Sequence, residues 1–146
     1  MQLLDHVSIS VAGLDTARPF YDAVMAALGA AKVYDHADAL GYGERCGPGD
    51  SGHTYLSVQA DPAAAPTAPA RRHWCFKAAS RAAVDAFHAA GLAHGGRDAG
   101  APGPRPHYHP HYYAAFLSDP SGNRIEAVCH DAPCSPRARP QSSRDG

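Results

Sequence analysis

Two stretches of this chain follow the same plan at an offset of 67 residues, and a chain that builds one unit twice has few architectures open to it. His6 falls on His73, Ala17 on Val84, Phe20 on Phe87 and Gly29 on Gly96. In the first copy Leu4 to Val11 alternates, with Val7, Ile9 and Val11 on one face and His6, Ser8 and Ser10 on the other, which is the period of a strand. From Leu14 to Leu28 the period changes. Ala17, Phe20, Tyr21, Val24 and Leu28 make an apolar helical stripe, and Gly29 follows as its stop. Three short extended pieces come next, near Lys32 to His36, Ala39 to Arg45 and Thr54 to Gln59. The second copy repeats strand and helix: His73 to Ala78 is strand-like, and Ser80 is a natural N-cap for a helix carrying Ala83, Val84, Phe87 and Ala90. The Pro/Gly-rich segment from 100 to 111 reads as a loop, followed by a strand from Tyr112 to Leu117.

The chain closes on Asp119 to Val128, where Asp119, Pro120, Ser121, Gly122 and Asn123 are turn residues and Arg124 to Val128 alternates as a strand. Glu126 then faces the polar side, away from Ile125 and Ala127. Carrying the offset into this strand places Gln59 in the register of Glu126. The fold expected is α+β: two tandem βαβββ modules forming one curved eight-stranded mixed sheet around a metal cleft, with the helices outside. His6, Gln59, His73 and Glu126 would line the inner face. Two imidazoles and a carboxylate on one side of a divalent ion, with open positions left for substrate, are ligands by their chemistry.

LDHVSISV with its helix, the second histidine in HWCFKA and the closing DPSGNRIE, in this order and spacing, resemble the vicinal oxygen chelate superfamily over about residues 3 to 130. That superfamily includes glyoxalase I, ring-cleaving extradiol dioxygenases, fosfomycin and bleomycin resistance proteins and methylmalonyl-CoA epimerase. The resemblance implies a cleft with one divalent metal ion (Fe, Mn, Zn or Ni) held by His6, His73 and Glu126, a small-molecule substrate, and a homodimer. Gln59 stands where glyoxalase I relatives usually carry a second carboxylate, so it is either a fourth ligand or a substrate contact; its amide accepts no proton near neutral pH. Against the ring-cleaving dioxygenases, His107 and Glu126 fit, while Phe116 occupies the tyrosine register. The implied activity is of the glyoxalase or dioxygenase type, lyase and isomerase chemistry included. The other class is a bleomycin-resistance-like protein that sequesters a drug without turnover.

His107, His109 and His111 alternate within HYHPHYY, but Pro106 and Pro110 favour a loop over the cleft mouth rather than a second metal site. In that loop His107, His109 and Tyr112 are candidates for substrate binding or proton donation, and Arg124 for holding an anionic group. Cys75 reads as a small strand filler.

With 146 residues and a formal net charge of -1 spread without blocks, the chain has neither the basic footprint of a nucleic-acid partner nor an apolar run able to span a bilayer. The cysteines at 46, 75, 129 and 134 have no metal or redox spacing, and the N-terminus has no secretory pattern, so a cytoplasmic protein is expected. One domain over 1–130 is expected, with modules at 3–59 and 72–130 joined by an Ala/Pro connection at 60–71. A disordered tail is expected from 131 to 146.

Overall fold

The chain is α+β with two βαβββ modules, and its computed structural model describes residues 3–49, 52–64 and 71–133. The first module runs β1 (His6–Val11), α1 (Leu14–Ala27), β2 (Lys32–Asp35), β3 (Ala39–Glu44) and β4 (Thr54–Ala60). The second runs β5 (Trp74–Lys77), α2 (Arg81–Ala93), β6 (Arg97–Pro104), β7 (Tyr113–Ser118) and β8 (Arg124–Cys129). The eight strands make two four-stranded mixed sheets, ordered β1-β4-β3-β2 and β5-β8-β7-β6. In each module the first strand pairs parallel with the last and stands at a sheet edge. The expectations for 65–70 of the connection and 134–146 of the tail lie outside the described residues. No helix among the described residues is long and apolar enough to cross a membrane.

Both helices begin and end where their signals stand. The Ser80 hydroxyl accepts the Ala83 N–H at 3.1 Å, and Gly29, just past α1, takes a φ of 77° that a side chain would strain. Phe20, Tyr21 and Val24 of α1 and Val84 and Phe87 of α2 are fully buried. They share one core with Val11 and Val58 of the first sheet and Leu117, Ile125 and Ala127 of the second. Gly91 makes the helix pairing possible: a Cβ there would lie 2.3 Å from Leu117 Cδ1 and 3.2 Å from Phe20 Cε2.

One segment differs from its sequence reading. Residues 97–104 form β6, which takes in positions 100–104 of the expected loop, antiparallel to β7 with two irregularities in register between Asp98 and Gly103. Its Pro and Gly content argued for a loop, but β6 is an edge strand, where a proline without an N–H and the bulges that glycine permits are tolerated.

The turn before β8 is anchored from within. Asp119 is 0% exposed, and its carboxylate accepts the Tyr21 hydroxyl of α1 at 2.7 Å, the Asn123 N–H at 2.7 Å and the Asn123 side-chain amide at 2.8 Å. The same amide donates to Ser10 O of β1 at 2.9 Å, and Ser121 Oγ accepts the Ala12 N–H at 3.0 Å. The turn of the second module is thereby tied to the first strand and helix of the first module. Burial and the facing Asp119 carboxylate push the Tyr21 hydroxyl well above the ordinary phenol range, so it stays a donor. Replacing Tyr21→Phe strips a buried carboxylate of one donor and is expected to lower unfolding free energy in urea by about 1–3 kcal/mol. Tyr42→Phe, which removes a hydroxyl from the more exposed Asp22, is expected to cost less than about 1 kcal/mol.

Candidate functional site

The alternation of β5 and β8 sets a polar face on the second sheet, opposite its core-facing residues. Trp74 pairs with Ile125 and Phe76 with Ala127 toward the core, so Cys75 and its partner Glu126 point the other way. Glu126 is 2% exposed, an unusual position for a carboxylate, and it is not left alone. His73, just before β5, places Nε2 at 2.9 Å from Glu126 Oε2. The Tyr112 hydroxyl, just before β7, donates to the other oxygen, Oε1, at 2.7 Å. Phe116, opposite Glu126 on β7, sits edge-on to the His73 ring at 5.6 Å.

The hydrogen bonding of His73 bears on what this pair can hold. Its Nδ1 lies 3.3 Å from the Arg71 carbonyl and its Nε2 2.9 Å from the carboxylate, and both of these oxygens only accept. A neutral ring donates to one of them alone, so a second proton, or a cation between Nε2 and the carboxylate, satisfies both. Two donors on one transition metal lie about 3 Å apart, so the pair fits a cation as well as a proton, and a carbonyl behind the distal nitrogen is the usual support of a metal-bound imidazole.

His6 is not brought to this pair. It lies exposed on β1, its ring stacked on Tyr55 at 5.3 Å and its Nδ1 at 2.6 Å from Asp5 Oδ1, a contact that holds the Asp5 carboxyl below its usual range. His53 stands edge-on to the same tyrosine at 4.9 Å. Among the described residues no group of three or more His, Cys, Asp and Glu side chains is gathered to hold a metal ion. Gln59 also stands apart from the register assigned by the repeat. Ser8 pairs with Ser57 as Cys75 pairs with Glu126, so the counterpart of Glu126 is Ser57; Gln59 pairs with Ser10 and donates to Ser57 Oγ at 3.2 Å. Ser57 also accepts the Tyr34 hydroxyl at 2.7 Å.

The loop before β7 approaches Glu126 through one residue. Tyr112 reaches it, whereas His109 Nε2 is paired with His130 Nδ1 at 2.7 Å and the exposed His107 ring lies against Tyr108 at 4.3 Å. Arg124 lays its guanidinium over the Phe116 ring at 4.7 Å. It also lines a polar hollow of about 340 Å³ with Ser8, Ser10, Arg72, Trp74 and Asn123. A larger, mostly apolar hollow of about 600 Å³ is bordered by Leu4, His6, Met25, Tyr55, Trp74 and Phe76.

Comparison with known proteins accords with this architecture. Residues 3–127 match the family model described as the Glyoxalase/Bleomycin resistance protein/Dioxygenase superfamily. No curated protein matches the chain. Among solved structures, a glyoxalase/bleomycin resistance protein from Albidiferax ferrireducens is 30% identical, with a TM-score of 0.72 over 87% of this chain and 98% of that one. A lactoylglutathione lyase from Agrobacterium tumefaciens is 21% identical, with a TM-score of 0.56 over 88% of this chain and 93% of that one. A bleomycin resistance determinant encoded on the transposon Tn5 is 18% identical, with a TM-score of 0.58 over 90% of this chain and all of that one (100%). The last two are likenesses of fold.

The thiol beside Glu126 offers a direct check of the site's electrostatics. Although the Cys75 residue is exposed as a whole, desolvation around its thiol, then the Glu126 charge and hydrogen bond, push it up to about 12. Between the ordinary thiol range and about 12 the folded chain keeps a proton that the unfolded chain has lost, so this group lowers stability as pH rises through that window. At pH 8, iodoacetamide is expected to alkylate Cys75 at least about 100-fold more slowly than a free thiol, and Glu126→Gln to raise the rate; peptide mapping of the alkylated protein checks both.

Proposed function

The chain belongs to the Glyoxalase/Bleomycin resistance protein/Dioxygenase superfamily, and on that premise we propose that it is a divalent-metal-dependent enzyme acting on a small substrate through adjacent oxygens. The observation that carries this reading is the buried Glu126 carboxylate facing the supported imidazole of His73 at 2.9 Å. These two side chains would hold the ion, and the imidazole and carboxylate donors suit Fe, Mn, Zn or Ni. Two protein donors are fewer than such ions usually take, and His6 stands apart on an edge strand. The reading therefore includes a homodimer in which β1 of a second copy brings its equivalent histidine to the pair.

Bound there, the ion would supply Lewis-acid stabilisation of enolate or oxyanion charge on the substrate. The protein's own residues would do the rest. Arg124, beside the polar hollow, would hold an anionic group of the substrate, and the Gln59 amide would hydrogen-bond it without taking up a proton. His107 carries an exposed imidazole on the loop and is the residue of that segment best suited to exchange a proton with the substrate. The facial set of donors permits oxygen chemistry as well as lyase or isomerase chemistry.

The apolar hollow favours a second reading, a sequestering protein that binds an aromatic or amphipathic compound without turnover. Metal analysis separates the two. Protein purified without chelators or a histidine tag is expected to carry about one equivalent of a transition metal per chain, lost in His73→Ala and in Glu126→Gln. Absence of metal under every supplementation would reject the enzyme reading in favour of sequestration.

A further inference from the structure

We propose that Tyr112 is a positioning residue of the metal site: its hydroxyl engages Glu126 Oε1 and so presents Oε2, the oxygen beside His73, to the ion. The inference rests on the metal reading above and concerns how the carboxylate is presented. A carboxylate can clasp an ion with both oxygens or bind through one, and a hydrogen bond to one oxygen selects the second mode. At 2.7 Å the Tyr112 hydroxyl makes such a bond, inside a site where little water competes for Glu126.

The histidine-rich loop is built to hold that hydroxyl in place. The Arg105 N–H donates to Tyr112 O at 2.7 Å, and the Tyr112 N–H donates to His109 O at 3.1 Å, closing the loop on its own backbone. Three rings then pack on the phenol: Tyr108 at 4.8 Å, His109 at 5.5 Å and His130 at 5.2 Å, the two imidazoles nearly perpendicular to it. Their tautomers follow from their bonds. His109 Nδ1 accepts the His111 N–H at 3.1 Å, so its proton sits on Nε2 and is donated to His130 Nδ1 at 2.7 Å. Both nitrogens of His109 are engaged in bracing, and neither is directed at Glu126. The motif thus serves the site through the tyrosine that ends it.

Metal-free protein titrated with Co(II) tests this, reading affinity by calorimetry and coordination by the visible absorption of the ion. Tyr112→Phe keeps the ring contacts and removes one oxygen. It is expected to weaken Co(II) binding by about 10- to 100-fold and to alter the absorption as Glu126 is freed to chelate with both oxygens. Tyr108→Phe, in the same loop, is expected to leave both unchanged. Equal affinity and an identical spectrum in Tyr112→Phe would overturn the proposal while leaving the metal reading intact. Failure of the wild-type protein to take up Co(II) would overturn both.

Discussion

A single buried carboxylate joins the two halves of this molecule. Asp119 gathers three hydrogen bonds from Tyr21 and Asn123, and Asn123 reaches on to the backbone of β1. A buried carboxyl group without water must be satisfied by the protein, and here its donors come from both modules. The geometry of the turn is therefore dictated by the helix of the other module as much as by its own Pro and Gly. β8 starts at Arg124, directly after this turn, so the depth at which Glu126 enters the second sheet depends on the same bonds.

Packing reinforces that junction. Gly91 lets α2 approach Phe20, Val24 and Leu117 more closely than any side chain would allow, and the core then runs unbroken from one sheet to the other. With their apolar faces committed to this core, the strands are left with polar faces that have no hydrophobic reason to close. On the second sheet that face is organised round Glu126. On the first it carries an aromatic group in which Arg45 lies over both Tyr34 and Tyr55, at 5.5 and 5.6 Å from their centroids.

The division of donors between the two faces follows from the duplication. Each module places a histidine at or beside its edge strand, but only the second sets a carboxylate opposite; the first has Ser57 there, tied to Tyr34 and Gln59. One chain thus presents a buried carboxylate paired with an imidazole on one sheet and a separate histidine on the other. The repeat offset that works for strand and helix fails by two residues at the last strand. The connections between helix and last strand differ between modules, and strand pairing is set by sheet geometry, whatever the sequence spacing.

Local physics was legible in the residues themselves. Alternation in Leu4 to Val11 and Arg124 to Val128, the stripe from Ala17 to Leu28, the Ser80 cap and the Gly29 stop each carry their structure in short-range sterics and hydrogen bonding, and each appears where it was read. That Glu126 stands on the face opposite Ile125 and Ala127 was legible for the same reason, since strand parity decides it. What only the tertiary structure decided depends on contacts between distant residues. β6 is a strand because an edge tolerates its prolines, Asp119 is buried because Tyr21 meets it, and Tyr112 rather than a histidine of its own loop reaches Glu126 because of how that loop folds back on itself. A sequence states the chemistry available at each position; which groups meet is settled by the packing that brings them together.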